Sequence, residues 1–391
     1  MTPNHWKARL IARRDAIIRA IRTTLPIVGL LCATQVGAEA GISATEVLIG
    51  QTGSQTGTLA SHNQAFTAGA QLYFDALNTR GGVHGRKIRM LTMDDGYDPD
   101  RALENARKLI EEKRVFALFA CFGTGPSMKV LPFASSRAVP FFAPYSGASS
   151  VRSAEFPFTF HVRASYDEEI EKIVEHLTML GVGNIAIVHH DDDFGKAGLS
   201  AALAAMSTRQ VKPVATLSIR SDGSDAAAVV NELARINPAA LIMITAGSSS
   251  SQLIRAIRSA DVHPQLYGLS VLSSTALLSE LGELANGMVV TQVVPSPYRL
   301  EAPVAAAYRQ ASETSGQTPT YAGLEGYIAA KTFAEALERA GENPTRNDFI
   351  SALGSMRRYD AGGYTLSYSA ERHAGSQYVD LSLVNHGRFT H

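Results

Sequence analysis

The sequence predicts an α/β fold of two lobes, each a parallel central sheet flanked by helices, joined by a three-stranded hinge. Three observations lead there. Between residues 43 and 147, short apolar runs end in small and hydroxyl residues and are each followed by a helical pattern, as in βα units of a parallel sheet. A second series of the same kind runs from residue 185 to 268 without obvious sequence identity to the first, which argues for two lobes rather than a solenoid. No long Pro/Ser linker separates the series, so the chain is expected to cross between lobes near Arg163, Thr291 and Gly362. The expected N-terminal lobe is residues 41–162 with 292–362, and the C-terminal lobe 163–291 with 363–391.

The 391 residues are ordinary for a globular protein, 45% hydrophobic and 18% charged, with length for two cores. Residues 1–40 read as a secretory signal peptide. They carry Lys7, Arg9, Arg13, Arg14, Arg19 and Arg22, an apolar core at 25–36 (LPIVGLLCATQV), and Ala38-Glu39-Ala40 as a small-x-small cleavage site. The core is too short to span a bilayer. Arg13-Arg14 lacks the rest of a twin-arginine pattern, and Cys32 lacks the small residue expected before a lipidated cysteine, so the product is expected to be soluble in the periplasm, cleaved near Ala40. Taking those six basic residues with Asp15 and Glu39 from the totals of 36 and 36 leaves 30 basic against 34 acidic, with no polybasic footprint for nucleic acid. Cys121 would then be the one cysteine left, a small buried hydrophobe rather than a nucleophile.

After the strand at 47–50 (VLIG), a helix is expected over 64–78 with Phe66, Ala70, Tyr73 and Leu77 as its buried stripe, ending at Gly81-Gly82. The strand at 88–93 leads to Asp94-Asp95-Gly96-Tyr97-Asp98-Pro99. Asp98 caps the next helix there and Pro99 begins it, and the EF-hand spacing is absent. A strand is expected over 156–163, followed by a capping box at Ser165 and Glu168. Strands at 185–189, 214–219, 241–245 and 266–268 then alternate with helices starting near Gly195, Ser224, Ser249 and Ser274. A strand at 288–293 is followed by helices at 303–314, 324–340 and 345–356, and two alternating strands, 364–368 and 379–384, close the chain.

Chemistry is mostly absent. Gly50, Gly53 and Gly57 follow a strand but lack dinucleotide spacing, and no phosphate-binding GxxxxGK[ST] exists, so no cofactor is expected. A backbone nest for a small anion remains reasonable there. The run His189-His190-Asp191-Asp192-Asp193 is rich in metal-capable groups, but neighbours on an extended segment point to opposite sides, and no metal is expected. No nucleophile elbow or triad order supports an enzyme.

These motifs in this order resemble the substrate-binding proteins of ABC importers of the branched-chain amino acid (Leu/Ile/Val-binding) type, the type I periplasmic binding fold with its Rossmann-like lobes. The resemblance rests on VLIGQTGSQTG, Gly81-Gly82-Val83 with Gly85-Arg86-Lys87-Ile88, Asp94-Asp95 with Asp98-Pro99, and Val139-Pro140-Phe141-Phe142-Ala143-Pro144. It continues through Asp193-Phe194-Gly195, Leu324-Glu325-Gly326-Tyr327 and Gly387-Arg388-Phe389. It implies a monomer that closes on a small-molecule ligand and delivers it to permease subunits in the membrane, with no nucleic acid involved; a sensing module that signals to a receptor or kinase is the alternative. It further implies that the ligand's carboxylate is held by Thr124, Gly125 and Ser127 and by Ser146, Gly147 and Ala148, with His62, Phe194 and Gly247 nearby. Amino-acid-binding members hold the ammonium with a second-lobe carboxylate, and Ser270 stands at that position here. The expected ligand is therefore a small carboxylate or amide-like compound without a free α-ammonium, amino-acid-like or aromatic, unless Glu325 or Asp193 supplies the missing charge.

Overall fold

The computed structural model describes residues 39–260 and 262–390; residues 1–38 of the expected export segment, with the apolar run 25–36 and Cys32, lie outside them. The first series forms β1 (Glu46–Gly53), α1 (Ala60–Thr79), β2 (Lys87–Asp94), α2 (Pro99–Arg107), β3 (Ala117–Phe119), α3 (Thr124–Ser136), β4 (Phe141–Phe142) and β5 (Thr159–Phe160). Its strands pair in the order β2-β1-β3-β4-β5, all parallel. Asp98 accepts from the Asp100 and Arg101 amides at 2.8 and 3.1 Å and fixes the start of α2, with Pro99 in its first turn.

The second series is α4 (Tyr166–Met179), β6 (Ile185–His190), α5 (Asp193–Thr208), β7 (Ala215–Ile219), α6 (Ala226–Ile236), β8 (Ala240–Ile244), α7 (Ser248–Ser259), β9 (Gln265–Gly268), α8 (Thr275–Leu281) and β10 (Val289–Gln292). The remainder is α9 (Pro303–Thr314), α10 (Tyr321–Ala340), α11 (Arg346–Ser355), β11 (Tyr359–Asp360), β12 (Thr365–Leu366), β13 (Asp380–Asn385) and β14 (Arg388–Thr390). The second sheet runs β14-β13-β10-β9-β8-β6-β7, parallel from β10 to β7 and antiparallel at the β13 edge. β6 and β8 are buried along their whole length, as strands covered by helices on both faces must be.

Helix α10 returns to the first sheet's side and packs on α1. The two backbones come so close that a Cβ on Gly69 would sit 1.8 Å from the Gly323 carbonyl oxygen, and one on Gly326 would sit 2.0 Å from that of Phe66. Beneath them Phe119 stacks on Phe142 at 6.0 Å and Phe333 meets Phe349 at 4.8 Å.

The alternating pattern at 364–368 does form a strand, but β12 pairs with β11 in a hairpin of its own rather than with the closing strands. Of the expected strand at 156–163 only Thr159 and Phe160 join the sheet. The crossing segments are stapled together. His161 N–H donates to His373 O at 2.8 Å, Gly375 N–H to His161 O at 2.9 Å, and the Tyr364 hydroxyl donates to the carbonyls of Val162 and Val293 at 3.2 and 3.0 Å.

Candidate functional site

The carboxyl ends of the strands and the first turns of α1, α3, α5 and α7 meet at one cleft, as open α/β sheets dictate. The acidic turn after β2 is structural. Asp94 accepts from the Gln55 and Thr56 amides at 2.7 and 3.2 Å, while buried Asp95 accepts from the Thr52 hydroxyl at 2.8 Å and the Tyr97 amide at 2.9 Å. These bonds lock the loops after β1 and β2 together and leave Tyr97 turned into the cleft.

The cavity there is lined by aromatic groups: His62, Tyr97, Phe122, Tyr145, Tyr166 and Phe194, closed by Leu59, Gly123, Thr124, Ala246 and Val271. Phe122 and Tyr145 stack at 4.9 Å, and Tyr97 meets Phe122 edge-on at 6.2 Å. Tyr166 meets Phe194 edge-on at 5.5 Å. No carboxylate lines it among the described residues. Burial drives the phenols of Tyr97 and Tyr145 well above their ordinary pKa and raises that of Tyr166, so all three keep their protons as donors. Burial, with Arg163 nearby, lowers His62 to about 4; its ring is neutral at physiological pH and its Nε2 has no partner among the described residues. The site thus offers neutral donors and flat apolar walls. A second recess of about 170 Å³ shares Leu59, His62 and Val271 with it and adds the polar Thr58, Ser61, Ser248 and Ser274, with Glu280 at its edge.

Under Tyr145 lies a fully buried charge cluster. The Arg163 guanidinium sits 4.5 Å above the Tyr145 ring, with Nη2 3.6 Å from Glu169 and Nε 3.6 Å from Glu325. Glu169 also accepts from the Ser270 amide at 2.7 Å, the Ser270 hydroxyl at 3.1 Å and the Thr291 hydroxyl at 2.5 Å.

Of the residues expected to touch a ligand, His62, Thr124 and Phe194 line the cavity and Gly247 lines the adjoining recess. Ser146 stands behind, its hydroxyl 2.8 Å from that of Thr124. Gly147 is where Tyr166 packs: a Cβ there would lie 2.5 Å from Tyr166 Cδ1. Ala148 is buried in the core beneath the loop, and the Ser127 hydroxyl is buried without a partner among the described residues. Gly125 is close to Pro99 and Asp193, whose carboxylate lines a separate recess with Lys196. Ser270 is taken up by Glu169 and Arg163, and Glu325 by Arg163, so neither is part of the aromatic wall. Sequence reasoning passed over Tyr97, Phe122, Tyr145 and Tyr166. The available signal was their position: Tyr97, Phe122 and Tyr145 each stand three residues past the end of β2, β3 and β4.

Among the described residues no group of His, Cys, Asp and Glu is placed to hold a metal, and no helix is long and apolar enough to cross a membrane. In the histidine-rich run, His190 Nε2 pairs with the Ser249 hydroxyl at 2.5 Å and His189 Nδ1 with the His190 carbonyl at 2.7 Å.

The sequence pattern of the periplasmic binding protein family matches residues 46–388. The structure superimposes on that of a possible leucine/isoleucine/valine-binding protein from Rhodopirellula baltica with a TM-score of 0.83, at 28% identity over 89% of this chain and 96% of that one. A leucine-, isoleucine-, valine-, threonine- and alanine-binding protein of Pseudomonas aeruginosa is 20% identical over 85% of this chain and 92% of its own. An amino acid binding protein of the same organism is 25% identical over 43% of this chain, a match that spans 46% of that protein's length.

Proposed function

The chain belongs to the periplasmic binding protein family and has its type I fold, and from that premise we propose that it is an exported solute-binding protein. In this reading it works as a monomer in the periplasm. Its two lobes close on a small carboxylate or amide with a flat, aromatic body, and it delivers that ligand to the permease of an ABC importer.

One observation carries the ligand class: a cavity walled by five Phe and Tyr rings plus His62, with neutral donors and no carboxylate among the described residues that line it. Enclosing an ammonium there without a counter-charge would cost on the order of several kcal/mol. A carboxylate fits better, since Thr124 at the start of α3 and the protonated phenols are hydrogen-bond donors. In the present conformation the Thr124 and Ser146 hydroxyls bond each other and the cavity is about 20 Å³, room for about one water. Binding therefore requires the lobes to part and the hydroxyl pair to exchange for ligand oxygens. The bodies that part are taken as residues 41–162 with 292–375 and residues 163–291 with 376–391. Segment 363–375, expected from the sequence to belong to the C-terminal lobe, is grouped with the first in this reading, and the bonds of Tyr368 and Gly375 to Met356 and His161 support that grouping.

The test is calorimetry on the exported, ligand-stripped protein with benzoate-type and arylalkanoate acids beside leucine and valine. Saturable binding of an aromatic acid, with leucine and valine silent, supports the reading. Tight binding of leucine or valine overturns it.

A further inference from the structure

A second cavity, of about 460 Å³, opens where the first crossing segment meets the closing hairpin, and it is independent of the cleft reading. Arg152, His161, Arg372 and His373 line it with the exposed carboxylate of Glu371; burial lowers both histidines below their ordinary pKa, so the two arginines carry its positive charge. The volume falls within the range of small-molecule sites.

The polar groups of this cavity are left incomplete by the protein. Arg152 uses only Nη2, which donates to the carbonyls of Ser146, Arg163 and Ala164 at 3.4, 3.2 and 3.1 Å. Its Nε and Nη1 are buried without a partner, and no carboxylate among the described residues pairs with it. His161 is 1% exposed, and among the described residues neither ring nitrogen makes a hydrogen bond of good geometry, although the Val151 backbone acts on the ring. A buried guanidinium with free N–H groups and no carboxylate in direct contact is a costly arrangement that a bound oxyanion would satisfy. Burial first, and then Arg163, lower Arg152 to about 10 against the opposing pull of the Glu168 and Asp167 carboxylates.

We propose that this cavity is a second binding site, for a small oxyanion of phosphate or carboxylate type, held by Arg152 and His161 from within and by Arg372 at the rim. Planar guanidinium forks match the oxygen spacing of both anions. Because Arg152 also carries the Ser146 carbonyl, an anion here would fix the guanidinium that braces the loop behind the cleft.

The experiment is calorimetric titration of the exported protein with inorganic phosphate, sulfate and malonate, at ionic strength held constant with chloride. The wild type is expected to bind one equivalent saturably, and the best of the three anions identifies the chemistry. Arg372→Glu changes an exposed side chain and so keeps the fold. It is expected to weaken binding by about tenfold or more, the worth of one charge-assisted hydrogen bond. His161→Phe should do the same, and Thr124→Val, in the cleft, should leave anion affinity unchanged. Absence of saturable binding overturns the proposal. So does binding indifferent to Arg372→Glu and His161→Phe, which marks an adventitious ion only, or binding abolished by Thr124→Val, which places the anion in the cleft.

Discussion

Replacing Glu325 by glutamine should leave the protein equally stable in mild acid and make it more stable above neutrality. Arg163 faces two buried carboxylates, and they are not equivalent. Glu169 is held by Ser270 and Thr291 as well as by the guanidinium, whereas Glu325 has only the 3.6 Å approach of Nε among the described residues. The proton therefore belongs on Glu325. Burial raises its carboxyl to about 7; Arg163 opposes that rise and Glu169 adds to it. Between an unfolded value of 4.5 and a folded value of about 7 the native state holds the extra proton, so stability falls as pH rises through this window. The difference of about 2.5 units corresponds to about 3 kcal/mol once both states are ionised. Glutamine mimics the protonated acid. Urea unfolding of both proteins from pH 4 to 9 should give coincident stabilities at the acid end and a gap opening toward about 3 kcal/mol in favour of the variant at the basic end. A variant less stable than wild type by the same amount at every pH would refute the argument, because it would show an ionised, productively paired Glu325.

His62 gives the opposite slope. Its folded value of about 4 lies below the ordinary 6.5, so the unfolded state takes up the proton first and stability is lost as pH falls from 6.5 toward 4. His62→Gln should flatten that limb of the urea midpoint profile. The Cys121 thiol is buried and pushed up to about 12; it should ignore an aromatic disulfide reagent in the native protein and react stoichiometrically in urea, and rapid native labelling would contradict its burial. Gly147→Ala should lower stability by about 1–3 kcal/mol through collision with Tyr166, read as a fall in Tm. Ser270→Asp should fail to confer leucine binding and should destabilise the fold, since it sets a third carboxylate against Glu169 and Arg163; calorimetric binding of leucine by this variant would mean that the position reaches the cleft.

The fold was legible because its punctuation is local. Asp98-Pro99, the Ser165–Glu168 box and Gly81-Gly82 act through neighbours in sequence, and each marks an observed helix end or start. Strand partners were less legible. Alternation at 364–368 announces a strand, but choosing β11 rather than β13 depends on a hairpin turn at Gly362-Gly363, whose amides bond Asp360 at 2.9 and 2.6 Å. Pro157, with no amide to give a ladder, precedes the two residues that the run 156–163 contributes to the sheet, Thr159 and Phe160, and past them His161 pairs with Ala374 instead.

The cleft was legible as a set of loops but not as a wall of rings, for a geometric reason. A parallel strand in an open sheet hands its chain to a helix on the far side of a short turn, and the residue at the crest of that turn overlooks the cleft. Tyr97, Phe122 and Tyr145 all occupy that crest, three residues past their strands, yet no periodic pattern joins them because the strands lie far apart in sequence. A reading that counts outward from strand ends, instead of searching for motifs, would have gathered these three rings and placed them opposite Phe194, which stands at the first turn of α5 in the other series. Nothing comparable exists for Arg163. Its partners lie six residues away at Glu169 and at remote Glu325, and only the stapling of the crossing segments makes them meet. The specificity of the cleft and the stability of the hinge therefore draw on different kinds of information: the first is repeated at every strand end, and the second is written once, in three residues that the fold must bring together before their chemistry exists.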